Sequence, residues 1–177
     1  MKIYKLDFDV DNYRSVELCE EAEADYYQMF DGRSLKDNWR ILRVKEYDED
    51  QDLRVGDAPG FHIPLLNQKA LELLRPLIQN DVEILPFQFG DELLYGLNVT
   101  TVLDAIDYSQ SVYKTFRDGK RIMAFQKYSF KNSIVNNKNI FKIIDMPRGD
   151  VFVSESIFSI IVDSKLEGFE LKLVYEG

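Results

Sequence analysis

Residue types that do chemistry are scarce in this chain, and their spacing is poor for catalysis. There is one histidine, His62, and one cysteine, Cys19, in 177 residues. A nucleophile–histidine pair would have to use His62, which stands between Phe61 and Ile63, neighbours that suit a structural imidazole better than a general base. Cys19 precedes Glu20, Glu21 and Glu23, and negative neighbours disfavour the reactive thiolate. A lone thiol forms no intramolecular disulfide, which fits a reducing compartment. Asp48, Asp50 and Asp52 match the first, third and fifth positions of a calcium loop, but Leu53 and Pro59 stand at the sixth and twelfth, where that loop needs Gly and Glu. Gly-x-Gly-x-x-Gly, the phosphate-binding P-loop, His-Glu-x-x-His and Cys-x-x-Cys are all missing, so neither a cofactor nor a metal is expected.

What remains is charge. Lys and Arg number 22 against 31 Asp and Glu, a net of −9. Residues 1–60 hold 16 acids and 9 basic residues, so −7 of that net lies in the first third. Such a balance repels phosphate backbones and anionic membranes and favours a basic partner. The candidate partner-binding residues are therefore Asp48, Glu49, Asp50 and Asp52, within an acidic segment from Glu46 to Asp57, with Glu20, Glu21 and Glu23 as a second contributor. The run Met1 to Asp9 lacks the hydrophobic core of a signal peptide, and no stretch nears the roughly 18 apolar residues of a membrane helix. A cytoplasmic protein without nucleic-acid or membrane partners is expected. Without a secretion signal, the glycosylation triplet Asn98-Val99-Thr100 carries little weight.

The elements that must position these residues read as α+β, mostly antiparallel strands with three or four short helices. Tyr4, Leu6, Phe8 and Val10 alternate with polar residues at one end, as do Phe169, Leu171, Leu173 and Tyr175 at the other, so both read as half-buried strands. Residues 15–31 read as a short helix or irregular segment, and Trp39 to Tyr47 as a strand. The loop at residues 46–60, with six acids, two Gly and one Pro, is the candidate lobe boundary in an otherwise single unit over residues 1–177. Asn67 caps a helix with Ala70, Leu71, Leu74, Leu77 and Ile78 on one face, and Pro76 should kink or end it near Arg75. Val82 to Phe89 and Leu93 to Val99 are strands. Thr100 or Thr101 caps a short helix through Ile106. Asp118-Gly119 between two strand-forming runs predicts a type I′ hairpin. Asn132 to Asn139 reads as a loop, Ile140 to Ile144 and Val151 to Val153 as strands, and Ser154 caps a last helix.

Several phrases also follow a family pattern. They are Pro64 to Leu71 with Leu74-Arg75-Pro76-Leu77, Tyr95 to Thr100 running on to Leu103 through Asp107, Tyr128 to Lys131, Ile140 to Ile143, Val151 to Ser154, and Gly168 to Leu171. In order and spacing the chain resembles the immunity protein eleven family of bacterial polymorphic toxin systems, over roughly residues 40–175 and the first strand. The resemblance implies a protein that sits in the producing cell's cytoplasm and neutralises a cognate toxin domain by binding it, with no catalytic residues. Two function classes follow. The first is a stoichiometric inhibitor of a basic toxin. The second is a small-ligand-binding or enzymatic domain using the carboxylates, which would need acids with raised pKa values beneath aromatics.

Overall fold

The computed structural model describes residues 1–19, 26–47 and 52–177. Among them the chain forms twelve strands in three sheets, and three α-helices. The strands are β1 (Lys2–Phe8), β2 (Val16–Leu18), β3 (Leu42–Glu46), β4 (Leu65–Leu66), β5 (Val82–Phe89), β6 (Glu92–Val99), β7 (Val102–Leu103), β8 (Val112–Thr115), β9 (Ile122–Lys127), β10 (Ile140–Ile143), β11 (Val151–Ser154) and β12 (Phe169–Glu176). The helices are α1 (Gln68–Ile78), α2 (Asn132–Val135) and α3 (Glu155–Asp163). One sheet has the order β12-β1-β11-β10-β7, a second β2-β3-β5-β6-β4, and β8 pairs with β9 alone. Only β10–β7 and β3–β5 are parallel among these pairs, so the architecture is α+β and mostly antiparallel. β2 and β3 precede the acidic segment and β4 to β6 follow it, all within one sheet.

Both main sheets contribute to one apolar cluster. Tyr4 and Leu6 of β1 and Val151 and Val153 of β11 meet Val82, Leu97 and Val99 of the second sheet, with Leu71 and Leu74 of α1 and Ile157 and Ile161 of α3. The other face of the first sheet packs a second cluster, in which Ile3, Phe141, Ile143 and Phe152 surround Phe130. The second sheet packs its far face on Tyr26, Phe30 and Trp39. Strand β10 is therefore buried throughout, which explains Ile140, Phe141 and Ile143 and leaves Lys142 between them as a buried charge.

The helix caps are those expected. Asn67 accepts from the Ala70 amide at 2.9 Å, and Ser154 accepts from the Ile157 amide at 3.5 Å. Pro76 neither ends nor stops α1, which runs on to Ile78. Pro76 and Glu72, whose carbonyl loses its donor, both lie on the solvent side, where water can supply the missing bond. The expected helix after Thr100 is instead β7, parallel to β10. The reason is Asp81. The Thr100 and Thr101 amides donate to its carbonyl at 2.9 and 3.3 Å, and the Thr101 hydroxyl donates to its carboxylate at 2.6 Å. Neither threonine is left to cap a helix.

Smaller departures have equally local causes. The turn at Asp118-Gly119 is not type I′, because among the described residues positive φ is found at Gly119 (+65°) but not at Asp118. The Gly119 amide donates to the Phe116 carbonyl and the Phe116 amide to the Arg121 carbonyl, closing a wider loop that the Asp118 carboxylate braces. In β12 a bulge opposite Ile3 and Tyr4 breaks the alternation. Phe169 and Leu171 pack on the first cluster, Val174 and Tyr175 on the second, and Leu173 is exposed. Val10 lies beyond β1 and is exposed. Asn132 to Val135 form the short α2 rather than loop, and Val16 to Leu18 form β2 where a helix or irregular segment was expected.

Candidate functional site

Of the acidic candidates, Asp52 is described and exposed. Asp48, Glu49, Asp50, Glu20, Glu21 and Glu23 lie outside the described residues. The two ends of the acidic segment are committed to the fold. Glu46 pairs with Arg14. Asp57 is buried and accepts from Asn67 Nδ2 at 2.8 Å, Lys69 Nζ at 3.0 Å and the Glu167 amide at 2.9 Å. Those two carboxylates are structural, which narrows the expected segment from both sides.

Among the described residues the perturbed carboxyls are anions, not acids in waiting. Burial alone would raise Asp57, but the Glu167 amide, Lys69 and Asn67 outweigh it and hold the group below its ordinary range. Burial of Glu83 is likewise outweighed, by the Leu35 amide, Ser34 and Asn98. Arg33 holds Asp31 low, and Ser109 and Arg121 do the same for Asp107 and Asp118. These five carboxylates suit charge attraction and fixed hydrogen bonding, whereas proton donation needs the opposite shift.

His62 is exposed and lies 5.5 Å from the Tyr27 ring, centroid to centroid. Cys19 is a free, exposed thiol. Asn98, the head of the glycosylation triplet, is fully buried and donates to the Arg33 carbonyl and to Glu83, so it offers no amide to a sugar. Among the described residues no group of His, Cys, Asp or Glu could hold a metal ion, and no helix is long and apolar enough to cross a membrane.

Charge summed by thirds of the chain hides a basic element. Strands β8 and β9 form a separate sheet with no fully buried residue, and Val112, Tyr113, Phe116 and Met123 are 39–48% exposed. The hairpin, residues 112–127, carries five Lys or Arg against one Asp, +4 in a chain of −9. Its sequence signal is the count of cations around Asp118-Gly119, visible only in a window of about the hairpin's own length.

A model of the immunity protein family (Imm11) matches residues 81–176, from the turn before β5 to the end of β12, and the chain belongs to that family. The match begins at Asp81, so the phrases from Pro64 to Leu77 lie outside it. No curated protein matches the chain.

Proposed function

We propose that this chain is a stoichiometric inhibitor that neutralises a cognate toxin domain by binding it in the cytoplasm, without catalysis of its own. The observation that carries this reading is membership of the immunity protein family over residues 81–176. The carboxylates of Asp31, Asp57, Glu83, Asp107 and Asp118 are held as anions, which suits charge pairing at those positions better than proton donation. The partner is a basic toxin, and Asp48, Glu49, Asp50 and Asp52, aided by Glu20, Glu21 and Glu23, steer it in place of its anionic substrate. Nucleic acid and membrane have no part in the interaction.

The test is co-expression with the toxin domain encoded beside this chain. Growth should be restored by wild type and by the folded His62→Ala and Cys19→Ala variants. Loss of protection in either variant at wild-type stability would turn the reading toward catalysis.

A further inference from the structure

The β8–β9 hairpin is firmly held at its base and bare toward its tip. Phe125 stacks on Tyr128 at 4.9 Å, and Tyr128 donates to Asp150 at 2.7 Å. The Ser129 amide donates to the Ser111 hydroxyl at 2.9 Å, and Tyr108 donates to Asp145 at 2.7 Å. These contacts fix a two-stranded ribbon that would be marginal by itself. Toward the tip the side chains are those that anchor protein interfaces: Phe116 and Met123, with Arg121 5.1 Å over the Phe116 ring. Exposed aromatic and thioether surface on a rigid base costs solubility unless something covers it.

We propose that this hairpin is a docking element whose occupant is an acidic protein surface with an apolar centre. Resting on the inhibitor reading above, that surface belongs to the cognate toxin domain. Phe116 and Met123 fill the apolar centre, while Lys114, Arg117 and Lys120 face its acidic rim. Charge complementarity selects the occupant. The hairpin is +4 where the whole chain is −9, so the area it meets is negative whatever the toxin's charge elsewhere. A nucleic acid is disfavoured because it is negative along its whole length and meets the acidic remainder of the chain as well, whereas a protein need be negative only where it faces the hairpin. Two copies meeting hairpin to hairpin would oppose like charges.

The experiment uses the full-length chain and, as probe, the toxin domain encoded beside it. Affinity and association rate are measured for wild type, Phe116→Ser with Met123→Ser, and Lys114→Glu with Lys120→Glu. All four side chains are at the surface, and unchanged thermal midpoints confirm the fold. If the apolar pair unfolds the hairpin, Phe116→Ala replaces it. Each pair should weaken binding about ten-fold or more, the charge reversal chiefly through association rate. Wild-type binding left within two-fold by both pairs removes the hairpin from the interface and leaves the inhibitor reading standing. No binding by wild type removes the inhibitor reading and this proposal with it. Self-association or oligonucleotide binding that only the hairpin variants abolish would overturn the proposal in favour of that occupant.

Discussion

Asp57 joins three segments far apart in sequence: the loop before β4, the first turn of α1 and the turn before β12. Replacing it with Ala strands the Glu167 amide and the Asn67 amide group, a loss of about 2–3 kcal/mol. Its carboxyl is held low in the folded chain and ordinary in the unfolded one. That stability is therefore complete above the ordinary carboxylate range and is lost as pH falls through the depressed value. Urea unfolding should show wild type and Asp57→Ala well separated at neutral pH and converging in acid. Lys142 behaves in the opposite sense. Its ammonium is buried in β10 and donates to the Phe30 carbonyl at 2.7 Å, near Asp31 with its partners Arg33 and Arg148. Burial lowers it from 10.5 to about 8, only partly opposed by Asp31. Between those values the unfolded chain binds more protons, so stability rises with pH there. Relative to Lys142→Met, wild type should gain on the order of 2 kcal/mol between about pH 8 and pH 10. Parallel curves would show that Lys142 is not held near neutrality.

Among the elements, α1 carries a removable defect. Pro76→Ala restores the missing hydrogen bond on an exposed face, and part of the gain is offset by a freer unfolded chain. The net should be stabilising by about 2 kcal/mol, read as a raised thermal midpoint. A lowered midpoint would mean that the ring packs usefully. This helix, α3 and the β5–β6 hairpin were legible because cap, period and turn residue agreed within each segment. β7 was not, since Thr100 and Thr101 are claimed by Asp81, 19 and 20 residues earlier in the chain. Nor was the bulge in β12, which depends on its pairing with β1. The Asp118-Gly119 pair located a hairpin but not its turn type, because only Gly119 takes positive φ there. The acidic candidates were legible as charge alone. Glu46 and Asp57 could be separated from Asp52 only by seeing Arg14, Lys69 and the Glu167 amide beside them.

On the scale of the whole molecule, charge is divided between an acidic first third and a basic hairpin. If the acidic segment steers a basic toxin, neutralising Asp48, Glu49, Asp50 and Asp52 together as Asn or Gln should slow association about ten-fold at low salt. High ionic strength should bring wild type and variant together. A wild-type rate indifferent to salt and to these changes would leave the acidity as solubilising charge. Inhibition by occupancy is tested most directly by titrating the toxin's activity with this chain, at toxin concentrations well above the dissociation constant. Activity should fall linearly and vanish at one equivalent, with calorimetry giving the same one-to-one ratio. Complete loss of activity at a small fraction of an equivalent, or loss with no complex formed, would contradict inhibition by binding.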